Sequence, residues 1–234
     1  MNFYWFGRHL DKDLKYVSDI LEDAGFYAWL IPYSAGLADP FIRIARSMST
    51  EQKLKYLVAV RPYTISAQYL IAISKSLDLI QEDRVRINFV PGIVPESEKS
   101  IGGIFSEIND SSSYEDRKRH FCDYIRKFSE LDIKKPYVYV SGFSDELCPD
   151  LEDFGDANIL SYGHLHAGRL DPSDLDKIIF FPVRSIEDFR EKIAEIKSKG
   201  YKNVMFHTNG DRDFDLALKV FEEVKMMNSQ NTVL

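Results

Sequence analysis

Short apolar runs with almost no charge recur along this chain, and amphipathic segments separate them. Eight such runs stand out: Asn2–Phe6, Ala28–Pro32, Lys55–Arg61, Val85–Pro91, Tyr137–Gly142, Asn158–Tyr162, Ile178–Val183 and Asn203–Thr208. They are rich in Val, Ile, Phe and Tyr and lack strict polar alternation, as expected of strands covered on both faces. Between them Asp13–Ala24 carries Leu14, Val17, Ile20 and Leu21 at helical spacing and is closed by Gly25. Pro40–Met48, Ser66–Leu79, Tyr114–Leu131, Ser185–Lys199 and Asp213–Met226 read as further helices, and Asp145–Gly155 and Ala167–Lys177 as weaker ones. Ser185 with Asp188 three residues on resembles a capping box with Asp in place of Glu. Strand–helix alternation implies parallel pairing with right-handed crossovers. Two architectures satisfy it, a closed (β/α)8 TIM barrel or an open doubly wound sheet.

No repeat, low-complexity stretch or Pro-rich linker divides the chain, so residues 1–234 are expected to form one domain. That is lean for a barrel, which commonly takes about 250 residues. The long irregular stretch 93–113 follows the fourth strand, where a loop of this length is usually functional or disordered. A net charge of −7 argues against nucleic acid as a partner, which would need a basic face. Two cysteines, Cys122 and Cys148, are too few for a disulfide framework. No apolar run approaches a membrane span and the first residues lack a basic leader, so a cytoplasmic location without membrane contact is the expectation.

In a barrel of this class the site lies at the C-terminal ends of the strands. Those ends deliver Arg8 and His9; Tyr33 and Ser34; Arg61, Tyr63 and Thr64; Asn88; Ser141, Gly142, Phe143 and Ser144; Tyr162 and His164; Arg184; and His207. Asn88 interrupts an apolar run, and a buried amide is costly without partners. It either bonds a ligand or braces the core. The Ser141-Gly142-Phe143-Ser144 turn has the composition of a phosphate cradle ahead of a helix, and equally that of an ordinary N-cap. His164 and His166 have no third ligand at a metal-like spacing, so no metal is expected.

One stretch carries a family resemblance. Leu54 to Pro62, ending Ala59-Val60-Arg61-Pro62, closely resembles alkanesulfonate monooxygenases of the bacterial luciferase-like family. The likeness continues through Ser66-Ala67-Gln68, Ser76-Leu77-Asp78, Arg84 and Ile87-Asn88-Phe89-Val90-Pro91-Gly92. Upstream, Leu30-Ile31-Pro32 and Asp39 fit as well. Tyr114-Glu115, Ser141 to Ser144 and Leu160-Ser161-Tyr162-Gly163 match further family positions. The resemblance implies the barrel, a flavin mononucleotide (FMN) cofactor supplied reduced by a separate reductase, and a possible homodimer, since members are commonly dimers. It places Asn88 and Tyr114 against the flavin and Ser141 and Ser144 at its phosphate. Gly142 and Tyr162 complete the expected cofactor set.

The departures narrow the substrate. Leu37 stands where the sulfonate enzymes carry a cysteine, Pro91 replaces a threonine beside the flavin, and the arginine-bearing insertion late in the barrel is missing. The leading expectation is therefore an FMN-dependent monooxygenase acting with O2 on a small organic substrate other than an alkanesulfonate. His207, His9 and Arg61 are the candidate catalytic groups, with His207 as proton donor because imidazole titrates near neutral pH. The alternative is a flavin-binding protein that sequesters the cofactor without oxygenating anything. A deazaflavin-dependent oxidoreductase would share the fold.

Overall fold

The structure, a computed structural model, describes residues 1–7, 13–32, 39–48, 52–62, 65–90, 114–131, 138–141, 157–161, 177–208 and 214–231. In chain order these form β1 (Asn2–Phe6), α1 (Leu14–Asp23), β2 (Ala28–Ile31), α2 (Pro40–Ser47), β3 (Lys55–Val60), α3 (Ala67–Ile80) and β4 (Val85–Phe89). There follow α4 (Tyr114–Glu130), β5 (Val138–Ser141), β6 (Ala157–Ser161), β7 (Ile178–Val183), α5 (Ile186–Ser198), β8 (Asn203–Thr208) and α6 (Phe214–Asn231). Each strand pairs in parallel with the next, and β1 also pairs in parallel with β8, so the sheet closes into a barrel. The open sheet is thereby excluded. The weak helices expected over 145–155 and 167–177, and the irregular stretch 93–113, lie outside the described residues.

Differences from the expected boundaries are small and have local causes. β2 stops at Ile31 and β3 at Val60, each just short of a proline, which has no N–H to give a ladder. α6 runs past Met226 to Asn231. Side chains cap the helix starts, at Ser185 as the sequence suggests. Asp39 accepts from the backbone N–H of Phe41 at 2.9 Å, with Pro40 in the first turn. The Ser185 hydroxyl accepts from Asp188 N–H at 3.1 Å, and the Asp188 carboxylate reaches back to Arg184 N–H at 2.9 Å. Gly25 and Gly200 follow α1 and α5 with φ of 76° and 87°, the left-handed conformation that glycine adopts without penalty.

The wall of the barrel separates two apolar cores. Phe3, Trp5, Trp29, Tyr56, Val58, Ile87, Phe89, Phe181 and Phe206 face the surrounding helices, and Tyr4, Ala28, Leu30, Leu57, Ile159, Ile178 and Met205 face the lumen. In the outer layer Trp5 stands edge-on to Phe221 of α6, with ring centroids 4.8 Å apart. Gly7 lies against the same indole: a Cβ there would come within 2.0 Å of Trp5 Nε1. The glycine therefore makes room for the tryptophan.

Charge closes the N-terminal end of the barrel. Asp83 in the α3–β4 turn takes φ of 61°, which Asp tolerates better than most residues. Its carboxylate bonds Lys55 Nζ and Arg86 Nη2, each at 2.8 Å. Lys55 and Arg86 are register partners of Ala28 and Leu57, so both belong to the lumen-facing series. Behind the wall the Ser18 and Tyr56 hydroxyls meet at 2.6 Å, and Arg84 Nε donates to Leu54 O at 2.7 Å. These contacts serve stability, since chemistry in such barrels gathers at the other end.

Two stability outcomes follow. Gly7→Ala should cost about 1–3 kcal/mol in urea unfolding, because the Trp5 indole must leave its place among Phe206 and Phe221. Burial alone would raise the Asp83 pKa, but the Lys55 hydrogen bond and the Arg86 charge together pull it below its ordinary value. A carboxyl depressed by folding stabilises above its unfolded pKa, and that stability is lost as pH falls through the folded value. Asp83→Asn should therefore unfold more easily at pH 7 and show a shallower loss of stability between about pH 5 and pH 2. An acid limb with unchanged slope would show that the floor ion pairs contribute nothing.

Candidate functional site

Burial along the lumen-facing positions locates the mouth. Deep in the barrel, Tyr4, Ala28, Leu57, Ile178 and Met205 are buried, whereas Phe6, Ala59, Phe180, Pro182 and His207 nearer the C-terminal strand ends are only half-buried. The recess so defined has an apolar floor and a partly open rim.

Three rings make one side of it. The His207 imidazole stacks on the Phe180 ring at 5.3 Å between centroids, the planes only 11° apart. Phe6 tilts against both, at 5.7 Å from His207 and 5.8 Å from Phe180. β7, β8 and β1 are consecutive strands of the barrel, so register alone brings these residues together. His207 Nδ1 lies 3.0 Å from the backbone carbonyl of Thr208.

Asn88 enters from the far side. β4 lies four strands round the ring from β8, and Asn88 is the register partner of Ala59, which packs against the lumen cluster. It is 1% exposed, so the amide is a buried polar group on an otherwise apolar wall. Arg61 follows the last residue of β3 and is half-buried. Ser141 ends β5 in register with Ile159, and Tyr114 opens α4. Arg61, Asn88, Ser141 and His207 thus belong to the C-terminal ends of four strands, as the sequence places them. His9, Gly142, Ser144 and Tyr162 lie outside the described residues.

Phe6 and Phe180 were not singled out from the sequence. The signal was present: each shares strand parity with Tyr4 or Ile178, but only closure of the barrel shows that they flank His207. Tyr124 is a different case. Burial pushes its phenol well above the ordinary range, yet its ring packs edge-on against Phe89 in the outer core, away from the lumen. Among the described residues no group of three His, Cys, Asp or Glu is arranged to hold a metal, and no helix is long and apolar enough to cross a membrane.

Phe180→Leu keeps an apolar side chain but removes the stacked ring. It should cost about 1 kcal/mol of stability, the worth of an aromatic pair beyond its area, and loosen His207. Chemical denaturation together with the sharpness of the His207 imidazole resonances measures both effects.

No protein-family profile matches the chain. Solved structures do share its fold. The coenzyme F420-dependent tetrahydromethanopterin reductase from Methanopyrus kandleri superposes with a TM-score of 0.63 at 13% identity, over 96% of this chain and 97% of that one. EDTA monooxygenase from Chelativorans sp. BNC1 gives 0.59 at 12% identity, over 85% of this chain and 66% of that one. A riboflavin lyase, solved with modified FMN and its substrate riboflavin, gives 0.58 at 13% identity with the same two coverages, 85% and 66%. The chain therefore spans slightly less than two thirds of the monooxygenase and of the lyase. Identity this low speaks for architecture alone, and that architecture is the closed (β/α)8 barrel.

Proposed function

We propose that the chain binds FMN at the C-terminal mouth of the barrel and uses it, in reduced form, as a monooxygenase toward a small organic substrate. The observation that carries this reading is the recess itself. A wall of three rings, Phe6, Phe180 and His207, stands over an apolar floor, with the buried Asn88 amide on the opposite side. Flat ring systems bind well between aromatic and aliphatic walls, and a few placed polar groups then fix their orientation. The residues present fit a flavin in these respects. Fold neighbours whose names record a monooxygenase reaction, FMN or coenzyme F420 support the same class of ligand.

In this reading Asn88 and Tyr114 face the ring system, Ser141, Gly142 and Ser144 hold the phosphate, and Tyr162 completes the pocket. Reduced flavin, delivered by a separate reductase, supplies the electrons that activate dioxygen. The protein aims the substrate and keeps water away from the reacting atoms, tasks that suit the half-buried walls of the mouth. Arg61, His9 and His207 border the substrate. An alkanesulfonate is not the expected substrate, because Leu37 stands in place of the sulfonate enzymes' thiol and the insertion that carries their substrate-binding arginines is missing. Leu37 also favours a second reading, in which the protein stores flavin without oxygenating anything.

Optical titration of the purified protein with oxidised and then reduced FMN separates these readings. Spectral change with FMN, followed by oxygen uptake coupled to substrate turnover, supports the monooxygenase; binding without coupled uptake supports storage. No spectral change with either form overturns both. Ser144→Ala should weaken FMN binding by about tenfold, the worth of one charge-assisted hydrogen bond. Sulfite release from alkanesulfonates would contradict the substrate assignment.

A further inference from the structure

We infer that Phe6 and Phe180 determine substrate specificity at the barrel mouth, and that the class they select carries an aromatic ring, laid against them beside the flavin. The inference rests on the flavin reading above, which gives the β4 and β5 side of the mouth, with Asn88 and Ser141, to the cofactor. The wall made by β7, β8 and β1 stands across the ring of strands from those residues and is left for the second molecule. Its three rings touch one another, with centroids 5.3, 5.7 and 5.8 Å apart, so each is held in place by the other two. Phe180 and His207 are parallel to within 11°, and Phe6 is inclined to them by 57° and 59°. All three side chains are half-buried, so part of the wall stays open to a ligand. Two residues earlier on the same strands, Tyr4, Ile178 and Met205 are buried and close the lumen beneath, which keeps a ligand at the level of the rings.

The consequence is selectivity. A wall of fixed rings presents aromatic faces and edges in set directions, and a further ring can meet it edge to face or offset-stacked, as aromatic pairs prefer. A saturated ring of the same size gains contact area from this wall and nothing more. Rings already ordered by one another also lose little freedom when a ligand arrives. Leucine or methionine at these positions would cover the same floor without that preference, and this is why Phe6 and Phe180, more than the apolar character of the recess, set the ligand class.

Benzyl alcohol and cyclohexylmethanol are suitable probes, being neutral molecules that share a hydroxymethyl group and differ in the aromaticity of the ring. The saturated alcohol is the more hydrophobic, so burial alone would favour it. Binding is read from the ring-proton resonances of His207, assigned as those lost in His207→Gln, first without FMN and then with FMN at saturation. Benzyl alcohol should bind more tightly by about two- to tenfold in both titrations. Phe6→Leu and Phe180→Leu should each remove most of that preference, whereas Phe180→Tyr, which keeps the ring, should retain it. Circular dichroism at the titration temperature establishes that each variant is folded, and the order of the two probes on the native protein needs no variant. Cyclohexylmethanol binding as tightly as benzyl alcohol, no binding of either, or a preference that survives both leucine variants overturns the inference. Displacement of benzyl alcohol by FMN overturns it too, because the wall then belongs to the cofactor. Failure of FMN to bind removes the flavin reading and the ligand's place beside it, while the titration without FMN still decides whether the wall selects aromatic rings.

Discussion

Among the described residues β1, β2, β3, β4, β7 and β8 bury side chains on both faces, and the placement of the functional side chains depends on that. Side chains alternate between the lumen and the helical layer, so a slip of one residue in register would exchange the two sets. On β8 such a slip would send Phe206 into the lumen and turn Met205 and His207 toward α5 and α6. The outer set, with Trp5, Trp29, Phe181 and Phe206, is fully buried among the helices. The lumen holds Tyr4, Ala28, Leu57 and Met205 at its centre. These two separate packing surfaces enforce register, and register delivers His207 to the mouth.

The two ends of the barrel use polar groups differently. At the floor, Lys55, Asp83 and Arg86 satisfy one another, and the Asn2 amide donates to the Asn203 side chain at 3.0 Å. Charges paired in this way tie together the N-terminal strand ends. At the mouth the polar groups are fewer and more dispersed, with the Asn88 amide and the His207 imidazole on opposite walls and aromatic surface near the latter. Placing polar recognition on an apolar recess is the general arrangement of small-molecule sites.

Much of the fold was legible because local patterns and global topology agree. Four strands, β1, β7 and β8 with identical bounds and β6 displaced by one residue, sit where the apolar runs stand; the cap Ser185 opens the helix it was assigned. Asn88 was visible as a polar residue where the pattern required an apolar one, and burial is what makes that exception meaningful. Phe6 and Phe180 were invisible as site residues because aromatic side chains in an apolar strand look the same whether they fill a core or line a pocket.

The order of strands and helices, the capping chemistry and the parity of each strand were determined by the sequence itself, since each depends on residues within about a dozen positions of one another. Closure was not. Whether eight parallel strands curl into a barrel or spread into an open sheet depends on β1 meeting β8, a pairing between residues some two hundred positions apart. The three-ring wall depends on the same closure, because Phe6 comes from the first strand and His207 from the last. The stacking of His207 on Phe180, with Phe6 against both, is likewise a tertiary outcome, because the three rings come from three strands that only the closed barrel sets side by side.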